Sequence, residues 1–194
     1  MSDLHFDEAT HTYTVGGVVV PSVTQILAPL NDLSFIKPDV LQYKRDLGTA
    51  VHKATELHDL GELDEDSVAD VVRPYLDAWI RLRRETKLEI LGMEKRVYHP
   101  AHRYCGTYDR LVKFDGRRCM WDLKTGAMYP SYGPQTAAYK NAEEKESGKR
   151  IEGRHTIELR DDGTYRIHEM KDPDDWAVFL SCLTLHNFRN KHAA

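Results

Sequence analysis

Asp115-Gly116 separates two runs in which bulky apolar residues are interleaved with small and charged ones, Tyr104–Phe114 and Arg117–Leu123. No other feature constrains the fold as much. Asp-Gly in a two-residue connection takes the left-handed backbone pair of a type I′ turn, so its flanks run antiparallel as a hairpin. Phe114 then faces Arg117, and counting along the ladder sets Asp109 opposite Asp122. Directly opposed residues share a face with Cβ atoms about 5 Å apart, which brings two carboxylates together. Like charges so placed repel unless they share a proton or surround a cation. Lys124, two residues beyond Asp122, joins the acids on the same face, while Cys119, Trp121 and Leu123 turn the other way and anchor the strand. Asp109 or Lys124 alone reads as an ordinary surface charge; on one face together they read as a site.

The rest of the chain reads as a mixed α and β domain. Tyr13–Val20 is expected to form a short hairpin turning at Gly16-Gly17, with a helical stretch around Val23–Leu27 after Pro21-Ser22. Leu47–Leu60 and Ser67–Thr86 are helix candidates, the second kinked or split by Pro74. Leu88–Tyr98 is a strand leading into the central hairpin, and a helix follows from Pro134 to about Glu146. Asp162-Gly163 turns a second hairpin, His155–Asp161 with Thr164–Met170, and Asp174–Phe188 closes the chain as a helix. At 194 residues, 41% of them hydrophobic, one core is expected, a single domain over 1–194. No stretch reads as a membrane span, so no membrane partner and a cytoplasmic location are expected.

The three cysteines, Cys105, Cys119 and Cys182, form no CxxC pair and suggest neither a disulfide framework nor a four-cysteine metal site. Net charge is −4, from 27 Lys and Arg against 31 Asp and Glu, which excludes a protein that coats nucleic acid through an overall positive field. Basic residues do cluster locally, at Arg73, Arg81, Arg83 and Arg84 and at Lys149, Arg150 and Arg154.

Paired hard oxygen ligands suit Mg²⁺, with Mn²⁺ able to substitute, and these ions are completed by water and substrate phosphate. With an adjacent lysine, and with neither a His-based triad nor a phosphate-cradling glycine loop, the pattern points to phosphodiester hydrolysis. Glu94, on the preceding strand, is a further acid for a second metal or a water; the loop register leaves open whether it faces the site.

These residues fall in motifs that resemble the RecB-type PD-(D/E)XK nuclease family. They are Gly48-Thr-Ala-Val-His52, Gly106-Thr-Tyr-Asp109-Arg-Leu111, Trp121-Asp122-Leu-Lys124-Thr-Gly126 and Gln135-Thr-Ala-Ala-Tyr139, in the family's order over roughly half the chain. Tyr108 stands where the family name has Pro. The resemblance implies a restriction-endonuclease-like core, a mixed sheet flanked by helices. It implies metal held by His52, Asp109, Asp122 and the Leu123 carbonyl, a catalytic Lys124, and Gln135 and Tyr139 supporting the site or contacting the DNA backbone. The expected activity is that of a metal-dependent deoxyribonuclease, an exonuclease of recombination or repair similar to phage recombination exonucleases. DNA is the expected partner, and the resemblance allows a homo-oligomer and a recombination partner protein. Three alternatives compete: a DNA-binding or assembly subunit on the same fold that does not cut, a zinc-stabilised interaction module using His99, His102, Cys105 and Cys119, and a nuclease acting on RNA.

Overall fold

The structure, a computed structural model, describes residues 3–8, 10–31 and 33–192. A three-stranded antiparallel sheet comes first, β1 (Leu4–Asp7), β2 (Thr12–Val15) and β3 (Val18–Val20). Helices α1 (Val23–Leu27), α2 (Pro38–Leu60) and α3 (Arg73–Thr86) follow. The main sheet is built from β4 (Glu89–His99), β5 (Tyr104–Phe114), β6 (Arg117–Lys124), β7 (Gly153–Leu159) and β8 (Tyr165–Glu169), paired in chain order. All its pairings are antiparallel except β6 with β7, which run parallel because α4 (Tyr132–Ser147) carries the chain back between them. α5 (Asp175–His192) completes the fold. The five-stranded mixed sheet flanked by helices is the expected fold class. Among the described residues no helix is long and apolar enough to cross a membrane.

Helices cover both faces of the main sheet. On one face Leu111 and Met120 pack with Ile26 of α1, Ala138 and Ala142 of α4 and Phe179 of α5. On the other, Val112, Cys119, Trp121 and Leu123 pack with Val51 of α2 and Leu76, Trp79 and Leu82 of α3. β6 alternates between these cores residue by residue, so Met120 and Asp122 share the α4 side. The spacing of Tyr75, Leu76, Trp79 and Leu82 draws one buried stripe on α3. Trp79 has no exposed surface, and truncating such a ring to alanine costs about 3–5 kcal/mol.

Three expectations need correction. Pro74 does not kink a helix: it is the second residue of α3, where its missing N–H breaks no intrahelical bond, and Glu65–Ser67 is a separate 3-10 turn. α2 begins at Pro38, well before Leu47. The N-terminal hairpin is one strand larger than expected, because Leu4–Asp7 pairs with β2.

One irregularity in β5 positions the site. Tyr108 packs with the α4 core and Leu111 does too, although three positions apart. The strict alternation therefore slips by one between them, and Asp109 and Arg110 both turn toward α2. Across the ladder, Met93 pairs with Arg110 and Lys95 with Tyr108, which leaves Glu94 between them with a backbone φ of +45°. That left-handed conformation is costly for a residue with a Cβ and marks a strained position.

Candidate active site

The central hairpin has the expected register from Phe114↔Arg117 through Arg110↔Trp121. The ladder stops one pair short of Asp109 and Asp122. Asp109 Oδ2 instead accepts the Leu123 N–H at 2.6 Å, so the carboxylate crosses to the neighbouring strand. Its other oxygen lies 3.3 Å from Nδ1 of His52. His52 comes from α2, where Arg45, Gly48, Thr49, His52 and Glu56 form one helical stripe along the cleft. The second ring nitrogen, Nε2, lies 3.1 Å from the Leu123 carbonyl oxygen. Both neighbours are acceptors, an arrangement that favours a proton on each ring nitrogen. Burial works against that charge, but the Asp109 carboxylate outweighs burial and raises the His52 pKa.

Glu94 completes this end of the site. One ligating atom from each of His52, Glu94 and Asp109 lies within 4.8 Å of the others, the one cluster of this kind among the described residues. Burial, then the neighbouring Asp109 charge, pushes the Glu94 carboxyl up to about 7. Asp109 itself stays below the usual carboxylate range: burial opposes ionisation, but His52, Lys124 and the Leu123 N–H together overcome it.

Asp122 and Lys124 lie next to this cluster on the α4 side. Lys124 Nζ is 2.7 Å from Asp122 Oδ2, but off the angle of a directed hydrogen bond, so this buried oxygen retains open acceptor capacity. Gln135 Nε2 donates to Asp122 Oδ1 at 3.3 Å and to the Tyr139 hydroxyl oxygen at 3.1 Å. The i, i+4 spacing of Gln135 and Tyr139 on α4 puts both over β6. Burial, only partly offset by Lys124, raises the Asp122 carboxyl to about 6. Lys124 is held as an ammonium: desolvation disfavours the charge, and Asp122 and Asp109 outweigh it.

Two contributors went unnoticed in the sequence. Tyr132, at the start of α4, presents its ring 4.7 Å from Lys124 Nζ, a cation–π contact that helps fix the ammonium. Arg110 has no exposed surface and donates to Asp59 Oδ2 and Glu94 Oε1, each at 2.9 Å, while its guanidinium lies over Trp79. The signal was present in Tyr-Asp-Arg-Leu-Val: an arginine inside an apolar strand run has to be paired.

Other expectations separate in space. Cys105, Cys119 and Cys182 lie in three different apolar clusters, while His99 stacks on Tyr104 and His102 meets Trp176 edge-on. The zinc reading therefore has no assembled ligand set. Glu56, one helical turn beyond His52 and readable from the sequence as a solvated glutamate, pairs with Lys53 at 2.8 Å. Of the basic clusters, Arg73 is paired with Glu65, Arg81 with Glu85, Arg83 with Asp59 and Arg154 with Asp175.

No family model matches this sequence, and neither does any curated protein. Among solved structures, "Crystal Structure of LHK-Exo in complex with dAMP" is similar at a TM-score of 0.39 with 13% sequence identity, covering 90% of this chain and 93% of that one.

Proposed function

We propose that this chain is a Mg²⁺-dependent deoxyribonuclease of the RecB-type PD-(D/E)XK branch, acting as an exonuclease. The observation that carries the reading is the convergence of His52, Glu94 and Asp109 within 4.8 Å, beside the Asp122–Lys124 pair. Four separate motifs of the sequence meet at this one place.

The donor set fits a divalent cation. It is dominated by carboxylate oxygens with one imidazole and a backbone carbonyl, the hard chemistry that Mg²⁺ and Mn²⁺ favour. The incompletely satisfied Asp122 Oδ2 and His52, set between two acceptors, both mark a place where positive charge is called for. Asp109, Asp122, His52 and the Leu123 carbonyl would hold the ion, with Glu94 as a further ligand or water contact. A bound ion supplies charge to the phosphate and lowers the pKa of an attacking water.

The chain's own residues do the rest. Lys124, charged and in contact with Asp122 and the Tyr132 ring, would donate hydrogen bonds and positive charge where the reacting phosphate gains negative charge. Gln135 and Tyr139 hold the Asp122 carboxylate in one orientation. Arg110 holds one Glu94 oxygen and leaves the other free to turn toward Asp109. The test is degradation of end-labelled linear and closed circular DNA with Mg²⁺, Mn²⁺ or EDTA. Metal-dependent loss of the linear form alone is expected; absence of cleavage with every metal overturns the reading.

A further inference from the structure

Glu94 and Asp109, with His52 and Lys124, line a cleft of 1030 Å³ whose walls are α2 on one side and the β1–β3 sheet on the other. Asp109 is only 7% exposed, so a phosphate reaches it by entering the cleft. That volume is at the upper end of what encloses a drug-sized ligand. It has room for a few nucleotides of one strand.

The two walls differ in chemistry. On α2, Lys44 and Arg45 are exposed, and among the described residues neither has an ion-pair partner. Lys53 and Arg96, also at the cleft, are matched by Glu56 at 2.8 Å and Glu8 at 3.5 Å. Arg45 precedes His52 by two helical turns, about 10 Å along the axis. Its charge therefore falls on phosphates beyond the one at the acids. The opposite wall is aromatic and polarisable. The Arg96 guanidinium lies 5.0 Å over the Phe6 ring, with exposed His11 edge-on to Phe6 at 5.0 Å and Tyr13 tilted against it at 4.5 Å. The Tyr13 hydroxyl meets Thr107 Oγ1 at 2.8 Å, which fastens this wall to β5 two residues from Asp109.

We propose that this cleft binds a single-stranded nucleic acid end, its phosphates along Lys44 and Arg45 and its bases against the Arg96, Phe6 and His11 wall. Cationic track and planar groups facing each other are what an unpaired strand requires, because only unpaired bases turn their faces outward. In a duplex those faces are covered by neighbouring bases. The N-terminal sheet thereby serves as the base-side wall of the substrate cleft. The proposal rests on the nuclease reading for its direction toward the acids, but binding can be measured without cleavage.

The experiment is fluorescence anisotropy, in EDTA, of labelled oligo(dT) and of a blunt duplex of equal length. Wild type should bind the single strand at least about tenfold more tightly. Lys44→Glu/Arg45→Glu, at exposed positions that do not threaten folding, should weaken single-strand binding by about tenfold or more. Lys44→Ala/Arg45→Ala should reduce the slope of log affinity against log salt by about 1.4, the value for two phosphates of a single strand. His11→Ala should weaken oligo(dT) binding about fivefold or more. Duplex bound as tightly as oligo(dT), or charge-reversed protein binding like wild type, overturns the proposal. Strong single-strand binding by a protein that cleaves nothing would overturn the nuclease reading and leave this one standing.

Discussion

Arg110 Nη1 donates to Glu94 Oε1 at 2.9 Å from a guanidinium with no exposed surface. The same group donates to Asp59 on α2 and to the Asp109 carbonyl oxygen, so one side chain ties α2, β4 and β5 together around the acids. Its charge is buried but fully matched, and removal of one partner from such a network leaves the others uncompensated. Arg110→Ala is expected to lose about 3–5 kcal/mol in urea unfolding and to weaken Mg²⁺ binding through Glu94. Arg110→Lys keeps the charge without the planar fork and should fall between the two. A loss below about 1 kcal/mol for Arg110→Ala would contradict this account.

The metal-free protein should become less stable as pH rises from about 5 to 8. Asp122 and Glu94 have carboxyls raised to about 6 and about 7, so the folded state holds more protons than the unfolded one in this window. His52 acts in the same direction. Its raised pKa contributes stability that is complete below the unfolded value of about 6.5 and is lost as pH rises through the folded value. Asp109, held low, matters only in stronger acid, where its contribution disappears as it protonates. Mg²⁺ reverses the trend, because its ligands must be deprotonated. The rise in Tm on adding Mg²⁺ should be larger at about pH 8 than at about pH 5.5. An equal rise at both would count against these ligands.

Gly106 is a close-approach glycine. A Cβ there would lie 2.5 Å from Tyr139 Cε1 and 3.2 Å from Val23 Cγ2. Tyr139 is rigid and bound to Gln135, which orients Asp122. Gly106→Ala should therefore cost about 1–3 kcal/mol by overpacking and reduce activity by displacing that chain of contacts. Gly126→Ala, where nothing lies within 4 Å, is the comparison and should change stability by less than about 0.5 kcal/mol. Thermal melts of the two variants decide it.

Asp115-Gly116 made the hairpin legible, because turn chemistry and the period of two are local rules. They gave the pairing through Arg110↔Trp121 and the division of β6 into core-facing and site-facing residues. The same rules failed at Asp109, where a hydrogen bond to Leu123 N replaces the next rung and Asp109 and Arg110 turn to the same side. They also could not resolve Glu94, since no glycine or asparagine announces its left-handed backbone. The parallel pairing of β6 with β7 depends on α4 lying between them, a nonlocal matter. β1 was missed because four residues, His and Asp among them, are too few to show a period.

The most direct test of the central claim compares single-turnover cleavage of linear DNA by wild type and Lys124→Ala in Mg²⁺, with calorimetric Mg²⁺ binding measured on both. If Asp109, Asp122 and Lys124 form one hydrolytic site, the substitution slows cleavage about 10²- to 10⁴-fold while the ion still binds. Cleavage by Lys124→Ala at the wild-type rate would contradict the account.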